Sequence, residues 1–114
     1  MEGSRGATQG SLRRVNYRLD IREVALADIE AAAAWYEDQQ PGLGADFVRA
    51  VRHAMDSLPA NPLIHRVRDR RRNVHWFLPR RFPYRIVYRM KDELITVFAV
   101  IHAARHERHW KQRA

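Results

Sequence analysis

Apolar and polar residues alternate from Val15 to Ile21, with Val15, Tyr17, Leu19 and Ile21 set against Asn16, Arg18 and Asp20. That period of two predicts a half-buried strand. From Val24 to Gln39 the period changes, because Leu26, Ile29, Ala33 and Tyr36 recur at three- and four-residue steps, and the run Ala31 to Ala34 favours a helix that can pack closely. Pro41-Gly42 breaks it. A second helix is expected over Leu43 to Leu58, with Phe47, Val48, Val51, Met55 and Leu58 on one face and Asp46, Arg49, Arg52 and Asp56 mostly outside, ended by Pro59 and Pro62. So short a connection makes the two an antiparallel hairpin.

The second half reads as strands over Asn73 to Leu78, Tyr84 to Met90 and Leu94 to His102. In the middle one, Tyr84, Ile86, Tyr88 and Met90 alternate with Arg85, Val87 and Arg89, giving one core face and one basic face. The last is apolar on both faces and rich in β-branched residues, as a central strand is, and Lys91-Asp92-Glu93 turns the pair into a hairpin. His106 to Ala114 reads as a short helix or arm, and residues 1–14, rich in glycine and serine, as a disordered leader. The expectation is one α+β domain over 15–114 in the order β-α-α-β-β-β. Its helical hairpin would pack on one face of a small, mainly antiparallel sheet, leaving the other face partly open.

Charge sharpens this picture. The chain of 114 residues carries 21 basic against 13 acidic side chains, a net +8. Residues 16–60 hold four basic residues and eight acids, whereas 61–89 hold nine basic residues and a single acid. Such polarity calls for an anionic partner, nucleic acid or an acidic polypeptide, on the second half. Cysteine is absent, which excludes disulfides, thiol nucleophiles and cysteine-built zinc sites. No apolar run approaches the length of a membrane span and residues 1–15 lack a signal peptide's apolar centre, so a cytoplasmic protein is expected.

Two segments carry candidate chemistry. Arg66 to Arg72, followed by Trp76, Phe77, Arg80, Arg81, Phe82 and Arg85, offers guanidinium forks for phosphate or carboxylate, and its aromatics are either base-stacking platforms or core. At the end of the last strand, His102 and Arg105 have the chemistry of a general acid/base and a charge clamp for phosphodiester cleavage, although no lysine or glutamate pair stands out as a second proton-transfer group. His102, His106 and His109 have helical spacing, but the surrounding positive charge opposes a divalent cation, so no metal is expected. No phosphate loop or dinucleotide fingerprint is present and no cofactor is implied.

Arg81-Phe82-Pro83-Tyr84-Arg85-Ile86-Val87-Tyr88 and Val100-Ile101-His102-Ala103-Ala104-Arg105, followed by Trp110 and Arg113, resemble the strand signature and closing motif of the RelE/ParE superfamily of type II toxin-antitoxin toxins. Ala27-Asp28-Ile29-Glu30, Tyr36, Phe47, Leu58-Pro59 and Pro62 fit the same pattern over about residues 16–113. The Phe-Pro-Tyr and His-x-x-Arg-plus-Trp motifs are ParE-like, and with only Lys91 and Lys111 the chain lacks the lysine-rich catalytic set of the RelE branch. The resemblance implies a growth-inhibiting toxin, of the kind that stabilises plasmids, neutralised by a cognate antitoxin whose acidic or amphipathic segment occupies its groove. Its expected target is DNA gyrase, reached by binding. In the alternative it is a ribosome-dependent mRNA endoribonuclease, with His102, Arg105 and Arg81 catalytic and Arg66 to Arg72 standing in for the RelE lysines. A third reading is a non-toxic nucleic-acid-binding module. By resemblance, Arg81, Arg85 and Arg105 line the groove that meets target or antitoxin, with Trp110 on the terminal arm, while Tyr84, Ile86, Tyr88 and Phe98 are core.

Overall fold

A computed structural model describes residues 16–114. The expected leader, and Val15 of the first strand, lie outside the described residues. The chain runs β1 (Arg18–Ile21), α1 (Glu23–Gln39), α2 (Leu43–Asp56), a single 3-10 turn at Leu58–Ala60, β2 (Val67–Asp69), β3 (Val74–Phe77), β4 (Tyr84–Lys91), β5 (Leu94–His102) and a short α3 (Arg108–Lys111). The sheet has the order β1-β5-β4-β3-β2, with β1 parallel to β5 and the other pairs antiparallel. The α+β class and the order of the larger elements are as the patterning predicts.

The expected order needs one correction. The sheet has a strand more than the β-α-α-β-β-β pattern, because Val67–Asp69, within the arginine-rich segment, forms a fifth, edge strand on β3 through an irregular register. Three residues with no apolar alternation carry no periodic signal, so pairing there follows from the neighbouring backbone. The second sheet face is partly open, as expected, with Arg68 exposed and Trp76 and Arg85 half-buried, and partly covered. Trp110 of α3 lies on it with Val74, Val87, Phe98, Ala99 and Ile101, making a second small core.

The main core fills the space between the hairpin and the first sheet face, where Ile29, Phe47, Val51, Met55 and Leu58 meet Phe82, Ile86, Tyr88, Ile95, Val97 and Val100. Close helix approach depends on Gly44, where a β-carbon would stand 2.6 Å from the carbonyl oxygen of Ala33. Gly42, at φ 90°, makes the bend. The Glu37 carboxylate then accepts hydrogen bonds from the Gly42 and Gly44 N–H groups, at 3.0 Å in each case, which satisfies orphan donors at the start of α2.

Strand β5 carries a bulge. Val87 faces Ala99 and Tyr88 faces Val97, so Phe98 is the extra residue, and both Phe98 and Ala99 point into the second core. The phase of β5 is thereby reset: Val100 points back to the helices, and His102 pairs with Tyr84. At the other end of the sheet two buried side chains anchor the segment between α2 and β2. The Tyr88 hydroxyl donates to the Pro62 carbonyl at 2.5 Å, and His75 Nδ1 lies 2.7 Å from the His65 carbonyl oxygen.

Candidate functional site

Past Val97, β5 has no strand on its β1 side among the described residues, since β1 ends at Ile21 and the chain turns into α1. The exposed strand edge is filled by side chains instead. Asp28 of α1 accepts the Val100 N–H at 2.9 Å, and Arg113 donates to the Phe98 carbonyl at 3.2 Å. These two pair with each other through Nη1 to Oδ2 at 2.6 Å and Nη2 to Oδ1 at 3.2 Å. One bidentate ion pair thus ties α1, β5 and the C-terminal turn together.

Beside this pair opens a cleft lined by Trp35, Tyr84, His102, Arg105, His109 and Arg113, with Asp28 at its base. The hairpin of β4 and β5 places Tyr84 opposite His102, their rings edge to face at 5.2 Å. The chain then turns, with Arg105 N–H donating to the His102 carbonyl at 2.9 Å, which brings the Arg105 guanidinium round to the same cleft. Burial raises the Tyr84 phenol above its ordinary pKa, and the Arg105 charge opposes that rise. Burial and the neighbouring Tyr84 raise Tyr36 in the same way. His102 Nδ1 accepts the Ala104 N–H at 3.0 Å, which leaves the neutral ring's proton on Nε2. Asp28 already serves Val100 and Arg113. Among the described residues the cleft therefore offers an anion a guanidinium, two imidazoles and an exposed indole, but no carboxylate or lysine free to act as a second proton carrier.

The expected site residues do not form one groove. His102 and Arg105 come together as described. Arg81 sits elsewhere, in the turn between β3 and β4, at φ 76°, a left-handed conformation that costs a non-glycine residue roughly 1 kcal/mol. Its guanidinium lies 3.8 Å from Asp46 of α2, in a separate cleft with Arg49, His53, Phe77 and Leu78. Arg85 projects from the far sheet face, 4.5 Å above the Trp76 ring, and meets the Arg105 carbonyl at 3.4 Å. Trp110, expected on a binding arm, is only 1% exposed, so its ring belongs to the second core. The need of a thin sheet for cover on both faces outweighs its position near the terminus. Tyr84, Ile86, Tyr88 and Phe98 pack in or against the two cores as expected.

Sequence reasoning missed the structural part of Asp28 and Arg113 and the cleft positions of Trp35 and His109. It also missed an apolar groove between the helices, formed by Leu26, Ile29, Ala33, Val48, Val51 and Met55 and rimmed by Glu30 and Arg52. The i, i+3, i+7 repeat Leu26, Ile29, Ala33 is plain in the sequence, but the same repeat marks an ordinary core face. Among the described residues no helix is long and apolar enough to cross a membrane, and no three His, Asp or Glu side chains are grouped for a metal ion.

No curated protein matches the chain. Among solved structures, a chain of the chromosomal ParDE TA system from P. aeruginosa superposes with a TM-score of 0.67 at 20% identity, covering 76% of this chain and 96% of that one. That likeness establishes the shared fold. The sequence family described as ParE toxin of type II toxin-antitoxin system, parDE, matches residues 19–107, and these include α1, α2, all of β2 to β5 and the His102/Arg105 turn. The protein belongs to the ParE toxin family.

Proposed function

We propose that this toxin acts by binding DNA gyrase in the cytoplasm, and that a cognate antitoxin silences it by laying an amphipathic segment along the apolar groove between α1 and α2. The observation that carries a binding rather than a cutting role is the occupancy of the cleft's acid: Asp28 is held by Arg113 and the Val100 N–H, so among the described residues His102 has no free carboxylate partner for two-step proton transfer. Leu26 and Val48 are 42% and 38% exposed beside the groove, apolar surface that a partner helix would cover. In a supercoiling assay the purified toxin should block gyrase, with gyrase-dependent DNA breaks, and the antitoxin should restore activity. Undiminished supercoiling would sink this reading.

A second reading, ribosome-dependent mRNA cleavage, is favoured by His102, His109 and Arg105 sharing one cleft. Toeprinting on programmed ribosomes decides it: cuts that vanish with Arg105→Ala support an endoribonuclease, and uncut mRNA excludes one. In either case Arg105 is exposed and makes no ion pair among the described residues, so Arg105→Ala should abolish toxicity in an induction assay while moving the melting temperature little.

A further inference from the structure

The far face of the sheet presents a row of charge across three adjacent strands. Arg68 of β2 and Arg85 of β4 both rest on Trp76 of β3, their guanidinium carbons 3.7 Å and 4.5 Å from its ring centroid. Arg66 and Arg70 flank β2 and line one depression with Val67 and Asn73, and the Arg66 charge acts on Arg68. Among the described residues none of these four arginines has a carboxylate within ion-pair distance. The one acid of the segment, Asp69, is already engaged by the Arg72 guanidinium at 3.0 Å and by the Arg71 and Arg72 N–H groups. Arg85 Nε is buried without an acceptor among the described residues. The crowding has an electrostatic consequence: burial first, then the charges of Arg66 and Arg85, lower the pKa of Arg68.

Like charges held this close without counter-charges are destabilising unless a polyanion covers them. We infer that this face, Arg66, Arg68, Arg70 and Arg85 around Trp76, binds the phosphate backbone of duplex DNA without regard to sequence. Stacking on the indole holds each guanidinium in place, so little side-chain freedom remains to be lost on gripping phosphate. The same stacking covers the indole with guanidinium groups, which argues for backbone contact over base stacking by Trp76. An acidic protein segment fits less well, because protein partners need apolar anchors. Of the exposed apolar residues, Val24, Leu26 and Val48 belong to the helical hairpin on the opposite side of the sheet, Leu63 and Ile64 precede β2, and Val67 of β2 is paired with His75, whose ring stacks on core Tyr88, and so alternates away from the Trp76 face. The choice of duplex DNA among nucleic acids rests on the gyrase reading, since gyrase holds duplex DNA. The toxin would then face its target with one surface and the target's DNA with the other.

Fluorescence anisotropy of the purified full chain with a labelled mixed-sequence 20-base-pair duplex, without gyrase, tests this. Binding should be indifferent to sequence and weaken steeply with salt. The double variant Arg68→Gln/Arg85→Gln should lose about tenfold or more in affinity, and its slope of log K against log salt should fall by about 2, close to 0.9 for each phosphate no longer neutralised. Arg68→Lys/Arg85→Lys should keep the slope, and unchanged melting of the variants guards against misfolding. Absence of binding at low salt, a glutamine variant with the wild-type slope, or preference for duplex RNA or polyglutamate over DNA would each overturn the inference. Gyrase inhibition by a toxin that does not bind DNA would overturn this proposal alone. DNA binding by a toxin that leaves gyrase untouched would overturn only the gyrase reading.

Discussion

Replacing Asp28 by alanine removes, in one step, the acceptor for the Val100 N–H and the counter-charge of Arg113. The side chains of Asp28 and Arg113 are 18% and 28% exposed, so water reaches them in part and the full loss of a buried pair does not apply. A hydrogen bond to a charged group contributes about 1.5–3 kcal/mol, and an orphaned N–H adds to the loss. With partial rehydration, Asp28→Ala should destabilise by about 2–3 kcal/mol, lowering the melting temperature by on the order of 10–20 °C for a domain of this size. Asp28→Asn keeps an acceptor but not the charge, and should lose about half as much. Urea unfolding of the single variants and of Asp28→Ala/Arg113→Ala gives the coupling directly, expected at about 1 kcal/mol or more. A loss below about 0.5 kcal/mol for Asp28→Ala would mean that the pair behaves as an ordinary surface salt bridge, and the account of a side-chain pair closing the β5 edge would fail.

Gly44→Ala should destabilise by about 1–3 kcal/mol in thermal melts, because the new methyl meets the Ala33 carbonyl and pushes the helices apart; a stabilised variant, as helix propensity alone predicts, would refute this. Tyr88→Phe should cost about 1–3 kcal/mol in urea unfolding by orphaning the Pro62 carbonyl, and Tyr88→Ala about 3–5 kcal/mol through a cavity; a phenylalanine variant as stable as wild type would show that the hydroxyl contributes nothing. Alkaline pH should destabilise the fold. Burial holds Tyr88, and to a lesser degree Tyr36 and Tyr84, above the tyrosine range, so stability is complete below about pH 10, where unfolded tyrosines ionise, and falls above it. Urea midpoints that stay level to about pH 11 would contradict this. On the acid side, burial and then the charge of His75 lower the pKa of His65, so its contribution is present above about pH 6.5 and lost as pH falls below; a His65→Gln variant should show a shallower acid limb.

Where hydrophobic period and chain order determine an element, the sequence makes it readable. The alternation of Tyr84 to Met90 and the double-sided β5 are enough to place the central hairpin, and the alanine run with Pro41-Gly42 is enough to place α1 against α2. What stays hidden depends on contacts between residues far apart in the chain. Asp28 meets Val100 and Arg113 across 72 and 85 positions, and nothing local marks an aspartate in the first turns of a helix as the cap of a strand. The bulge at Phe98 is invisible to a period-two reading, yet it decides which face of the sheet receives His102. Arg81 and Arg85 share one motif and Arg105 closes the next, but a left-handed turn and strand alternation send the three to different places.

Among the described strands β1 pairs only with β5, the last strand to be made, and the tie between Asp28 and Arg113 again joins an early helix to the end of the chain. A ribosome producing this protein holds a growing polypeptide whose first strand has no neighbour until residues near 97 emerge. Synthesis that stalls earlier leaves an arginine-rich tether without the sheet that arrays it.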